Sequence, residues 1–177
     1  RDVKDTKDIR DLVIETLEGI EAASKHRGGV TGVATGFIDL DYMTAGMQPA
    51  DLVLIAARPS MGKTAFVLNI AEHAALKLKV PTVIFSLEMG GKQITNRILA
   101  MNARVDAQKM RIGNLSDADW ANLHESAIAI AEAPLIIDDT PGITISEMRS
   151  KCRQYKYEKG VGMIIIDYLQ LMSVGHK

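Results

Sequence analysis

The chain has 177 residues, of which 47% are hydrophobic and 24% charged, and its formal net charge is −1. That size and balance describe one globular domain with its own core and show no global basic excess that would point to nucleic acid, though they do not exclude a local basic stripe. The lone Cys152 excludes an internal disulfide, no apolar run approaches the ~18 residues of a membrane span, and the charged N-terminus has no signal-peptide core, so a reducing, cytoplasmic setting without membrane contact is expected.

Residues 8–24 read as an amphipathic helix with Ile9, Leu12, Val13, Leu17 and Ile20 on one face. Lys25-His26-Arg27 and then Gly28-Gly29 form a helix exit and hinge. The apolar face needs a partner, which is either its own domain or a neighbouring subunit. Thr31 to Gly36 is punctuated by glycine and has no regular element, and Phe37, Leu40 and Met43 suggest a short helix ending near Gly46.

Asp51 to Ala57 is apolar enough for a strand buried on both faces. Past Arg58-Pro-Ser-Met-Gly-Lys-Thr64, the residues Phe66, Val67, Ile70, Ala71, Ala74 and Leu78 recur at helical spacing. A strand, a loop and Gly-Lys-Thr at the start of a helix make the layout of a phosphate-binding loop, because unpaired N–H groups and the helix dipole at that point attract anions. Gly62 lets the backbone approach a phosphate, Lys63 supplies a point charge, and the Thr64 hydroxyl offers a Mg²⁺ ligand. Ser60, Met61, Gly62, Lys63, Thr64 and Ala65 are therefore the expected nucleotide-binding stretch. One position departs from the strict pattern, since Ala57 stands where the first glycine belongs.

After a break at Val80-Pro81, Thr82 to Ser86 is a second buried strand, and Gly90-Gly91 opens a helix carrying Ile94, Ile98, Leu99 and Met101. Ser116 with Asp119 signals a capped helix through Trp120, Leu123, Ala127 and Ile130, although Asp is a weaker box partner than Glu. Pro134 to Asp138 is the third strand. Thr144 with Glu147 is a full capping box, and Ile145, Met148, Cys152 and Tyr155 line one face of the helix that follows, which gives Cys152 a packing role. Gly160 ends that helix, and Met163 to Asp167 is the fourth strand. This alternation predicts an α/β fold, a mostly parallel sheet with helices on both faces, with the ligand at the carboxyl ends of the strands.

Three acidic signals lie at those ends. Asp167 closes an apolar run as a Walker B carboxylate does and could hold Mg²⁺ opposite Thr64, while a helix cap or turn would explain it too. If its strand neighbours the loop strand, Glu88 could orient the attacking water; otherwise it is a carboxylate at the N-terminus of the next helix. Asp138-Asp139 is either a third metal-side element or turn chemistry. Arg149, Lys151, Arg153 and Lys156 read as a solvated face. No Asn-Lys-x-Asp signal for guanine is present, which favours ATP. The isolated histidines give no zinc pattern.

Taken together, Ala56-Ala-Arg-Pro-Ser-Met-Gly-Lys-Thr64, Phe85-Ser-Leu-Glu-Met89, Ile137-Asp-Asp-Thr-Pro141, Ile165-Ile-Asp-Tyr-Leu-Gln-Leu-Met172, Thr31-Gly-Val-Ala-Thr-Gly-Phe37 and Leu40-Asp41 resemble the motor domain of bacterial replicative DNA helicases of the DnaB type. The resemblance covers nearly the whole chain in the right order, and that family has alanine at the position of Ala57. It implies a RecA-like P-loop ATPase core at residues 30–177, preceded by a linker helix and hinge at 1–29. The motor would work as a homo-hexamer that translocates on single-stranded DNA to unwind duplex, with primase and a helicase loader as further partners.

By the same resemblance Lys63 and Thr64 serve the phosphates and Mg²⁺ of ATP, Glu88 is the catalytic carboxylate, Asp167 is the Walker B acid, and Arg97 lies near the nucleotide. The helix at 8–24 would dock on the adjacent subunit. The family's sensor glutamine, DNA-binding loops and arginine finger come later than Lys177, so this chain alone is expected to hydrolyse ATP poorly and to leave a sheet edge open. Two alternatives remain: another RecA-like ATPase, of recombinase or clock type, and an oligomerisation or docking piece whose nucleotide site is idle.

Overall fold

The computed structural model describes residues 7–25 and 29–168. The hinge residues 26–28 and the end of the Ile165 to Met172 block, past Tyr168, lie outside the described residues.

Helix α1 (Ile9–Lys25) buries none of its residues. A short α2 (Ile38–Thr44) follows, and then α3 (Lys63–Glu72), which continues as a π-helical turn over His73–Lys77. Strand β1 (Thr82–Ser86), helices α4 (Gly91–Ala103), α5 (Ala107–Ile112) and α6 (Asp117–Ala131), strand β2 (Leu135–Asp138), helix α7 (Ile145–Lys159) and strand β3 (Met163–Asp167) complete the order. The described sheet is three-stranded and parallel in the order β2-β1-β3. Ile84 pairs with Ile137 on one side and Ile165 on the other, and Ser86 pairs with Asp167.

Side chains alternate across the sheet, as the pleat requires. Ile84, Ile137 and Ile165 pack with Leu68 and Ala71 of α3 and Ile94 and Ile98 of α4. Val83, Phe85, Ile136 and Ile166 face the other way onto Ile143 and Met148, with Cys152 and Tyr155 beside them. Helices thus cover both faces, as the alternating pattern predicts, and Cys152 packs in the core. Fully burying residues such as Leu68, Ile84, Ile94 and Ile98 contributes about 1.5–3 kcal/mol each.

The segment before the phosphate loop is tied down by one carboxylate. Buried Asp41 accepts hydrogen bonds from the Thr35 N–H and hydroxyl, each at 2.7 Å, and from the Gly36 N–H at 3.0 Å. Burial works to raise its pKa, but these bonds and the nearby His73 outweigh it and hold Asp41 below the usual range. Phe37 then stacks on Phe66 of α3, with ring centroids 4.9 Å apart.

The expected strand at Asp51 to Ala57 does not form. The segment carries no strand assignment and lies exposed, with Leu52 at 85% and Leu54 at 73%. A strand needs a ladder partner, and both edges of β1 are taken by β2 and β3, while the outer edges of those two strands pair with nothing among the described residues. The condition that β1 neighbours the loop segment is therefore not met. An apolar run predicts burial but does not name the neighbour that provides it.

Candidate nucleotide site

Gly62 caps α3 in the left-handed region, at φ +84°, and has no side chain to satisfy the first turn. The N–H groups of Lys63, Thr64 and Ala65 therefore open the helix without intrahelical partners and face outward with the positive end of its dipole. Ser60 and Met61 lie just before them in an exposed turn.

The packing of α3 on the sheet brings the loop to the end of β3. The Thr64 hydroxyl donates to Asp167 Oδ2 at 3.0 Å. Lys63 Nζ stands 3.7 Å from Asp167 Oδ1 and 4.3 Å from the centroid of the Tyr168 ring. Asp167 is 5% exposed and is held on two sides by these groups. One hydroxyl, one carboxylate and one ammonium thus converge at the carboxyl end of the sheet. A hydroxyl and a carboxylate form the all-oxygen donor pair that suits Mg²⁺, which binds one or two protein oxygens and completes its shell with phosphate and water. Among the described residues no group of three or more His, Cys, Asp or Glu could cage a metal.

Glu88 is exposed two residues past the end of β1, next to β3, and the Leu87 N–H donates to the Asp167 carbonyl at 2.9 Å. It lies on the same end of the sheet as Asp167, yet among the described residues its side chain has no hydrogen bond or ion pair. Arg97 is exposed on α4 and likewise has no described partner. The convergence therefore includes Lys63, Thr64 and Asp167, and not Arg97.

The Asp138-Asp139 pair resolves as turn and cap chemistry. Asp138 accepts from Lys151 Nζ at 2.7 Å, from the Thr140 hydroxyl at 2.6 Å and N–H at 3.1 Å, and from the Tyr155 hydroxyl at 3.3 Å. Burial alone would raise its pKa, but the bonds from Lys151 and Thr140 prevail and hold it low. The hydrogen bond to Asp138 raises Lys151 in turn, and burial pushes the Tyr155 hydroxyl and the Cys152 thiol up. Lys151 is thus an engaged residue and not part of a solvated face. Asp139 Oδ2 accepts the Gly91 N–H at 2.7 Å, so the carboxylate on the α4 N-terminus is Asp139 and not Glu88. No local pattern announces either contact, because each depends on how separate elements pack.

A cavity of about 480 Å³ lies elsewhere. It opens beside the C-terminal end of α4, between Lys77, Arg104 and Ser126, and contains none of the loop residues. No helix among the described residues is long and apolar enough to cross a membrane.

Residues 32–177 match the family described as DnaB-like helicase C terminal domain. The chain is 48% identical over 167 residues to the replicative DNA helicase DnaC of Bacillus subtilis, spanning 94% of this chain but 37% of that protein. It is 42% identical to the replicative DNA helicase DnaB of Leifsonia xyli, spanning all of this chain and 39% of that one. Among solved structures, one described as an ATPase domain superposes with a TM-score of 0.89 at 36% identity, covering 96% of this chain and 60% of that one. A DnaB-like replicative helicase studied with primase gives 0.83 at 35% identity, covering 97% and 41%.

Proposed function

The chain belongs to the DnaB-like helicase C-terminal domain family, and from that premise we propose that it is the ATP-binding and hydrolysing core of a replicative DNA helicase, one that unwinds duplex by translocating on single-stranded DNA as a homo-hexamer. The observation that carries this reading is the contact of Thr64 with Asp167 at 3.0 Å, with Lys63 alongside at 3.7 Å. Family membership sets aside recombinase and clock-type ATPases.

In this reading the N–H groups from Ser60 to Ala65 and the Lys63 ammonium hold the phosphates of ATP. Thr64 and Asp167 would hold Mg²⁺, which when bound neutralises charge building on the phosphoryl oxygens. Glu88 orients the attacking water, for which an unengaged side chain at the carboxyl end of the sheet is suited. Arg97 approaches the nucleotide from α4.

The division into a linker at 1–29 and an ATPase domain at 30–177 fits an α1 that buries nothing in its own chain. The exposed stripe of Ile9, Leu12, Val13, Leu17 and Ile20 supports docking on an adjacent subunit. Primase and a loader are the partners to be sought, in the bacterial cytoplasm, given the family and a relative studied with primase.

The same stripe is what would favour the alternative, a docking piece with an idle nucleotide site. Binding of a non-hydrolysable ATP analogue with Mg²⁺, compared between the parent chain and Lys63→Ala, tests between the two. Loss of affinity in the variant is expected, and equal affinity would overturn the site assignment.

A further inference from the structure

Glu88 sits in the short passage between β1 and α4, and no contact of its own side chain fixes where it points. Its placement therefore comes from the main chain, which is pinned around it three times. The Leu87 N–H donates to the Asp167 carbonyl at 2.9 Å. The Ser86 hydroxyl donates to the Met89 carbonyl at 2.6 Å, closing a ring across Glu88. The Gly91 N–H donates to Asp139 Oδ2 at 2.7 Å.

The third pin differs from the others because it comes from the turn after β2, 48 residues further along the chain. That turn is braced in its own right, since Asp138 is clamped by Lys151 and Thr140. The N-cap residue of α4 is Gly90, which has no side chain to cap with, so Asp139 takes that part, and the positive end of the helix favours its charge. Gly91 keeps the approach open, because a Cβ there would stand 3.3 Å from the Asp139 oxygen.

We propose that Asp139 is a positioning residue for Glu88, holding the start of α4 against the β2 turn so that the main chain at Glu88, two residues before Gly90, keeps its place at the end of the sheet that carries Asp167. This rests on Glu88 being the residue that orients the attacking water. A group with that task must stand within hydrogen-bond reach, and a misplacement of ~1 Å can cost roughly 10²-fold in rate.

The test compares the 177-residue chain with Asp139→Ala, Asp139→Asn and Glu88→Gln, measuring single-turnover Mg²⁺-ATP hydrolysis with protein in excess and binding of a non-hydrolysable analogue. Asp139→Ala should slow hydrolysis about tenfold with analogue affinity held within about twofold, well inside what misplacement can cost. Asp139→Asn keeps an acceptor oxygen and should recover most of the rate. The proposal is overturned if Glu88→Gln abolishes hydrolysis while Asp139→Ala matches the parent, or if the loss in Asp139→Ala lies wholly in affinity or in the fraction folded by thermal unfolding. Parental hydrolysis in Glu88→Gln would instead remove the role of Glu88 itself, with Asp139 intact, and the positioning role would fall with it.

Discussion

The Thr64 hydroxyl reaches across 103 residues of chain to donate a 3.0 Å hydrogen bond to Asp167. One residue begins α3 and the other ends β3, so the contact measures how the helix seats on the sheet. Its expected consequence is metal dependence. Thr64→Val keeps the shape and removes the hydroxyl, and a hydrogen bond to a charged group is worth about 1.5–3 kcal/mol. Affinity for an ATP analogue with Mg²⁺ should fall at least about tenfold, while affinity measured in EDTA should barely change. Calorimetric titration in both conditions checks this, and an equal drop in each would rule out a metal-linked role for Thr64.

The Lys151–Asp138 pair makes a prediction about stability and pH. Asp138 is held below its ordinary value when folded, so it contributes stability that is present above the ordinary carboxylate pKa and lost as pH falls through the lowered one. Lys151 is raised, so its share is present below the ordinary lysine pKa and lost only as pH rises through the raised value. Both shares are therefore in place at neutral pH. Lys151→Met should destabilise the fold by about 1–2 kcal/mol at neutral pH, a figure discounted from that of a buried pair because the lysine side chain is 34% exposed. It should also flatten the acid limb of stability, as read by urea unfolding across pH. An unchanged acid limb would show that Thr140 and Tyr155 hold Asp138 without the lysine.

What the sequence reveals of this molecule divides by the range of the interactions. The boxes at Ser116 with Asp119 and Thr144 with Glu147 form as read, and Gly160 ends α7 at φ +64°. These are contacts within a few residues, and residue type alone decides them. Strands β1 and β3 appear where their apolar runs predict, and β1, central in the described sheet, is buried along its whole length. The run at Asp51 to Ala57 has the same composition and no ladder among the described residues, since pairing depends on a neighbour the run does not encode. The same limit explains the site. Lys63, Thr64 and Asp167 announce themselves by local pattern, whereas the cap from Asp139 to Gly91 spans 48 residues and the clamp from Lys151 to Asp138 joins two successive elements whose packing no short pattern encodes. Helix α5, capped by Asp106, is too short to show a period.

Helix α1 should behave as an interface and not as part of the core. Leu17 and Ile20 are each 60% exposed, and covering such a side chain contributes up to about 1.5–3 kcal/mol. Leu17→Glu with Ile20→Glu should lower the mass of the assembly by light scattering at a given concentration while leaving the urea midpoint where it is. Unchanged mass would refute docking through this face. A lowered midpoint would mean that the helix packs on its own domain.

Gly62 gives the most sharply separable prediction, because it is constrained by conformation and not by space. Its φ is +84°, and a Cβ placed there would meet nothing within 4 Å. An L-residue in the left-handed region costs roughly 1–2 kcal/mol, so Gly62→Ala must either carry that strain or rearrange the turn that presents the N–H groups. Gly113 is a built-in control. It sits at φ +71° with equally open space, but it ends α5, away from the loop. Both alanine variants should lose similar unfolding free energy. Only Gly62→Ala should also lose affinity for a Mg²⁺-ATP analogue, by about tenfold if the whole strain falls on the bound state. Matching affinities in the two variants would mean that phosphate binding does not need the left-handed turn, and the loop geometry would lose its claim to be the cradle.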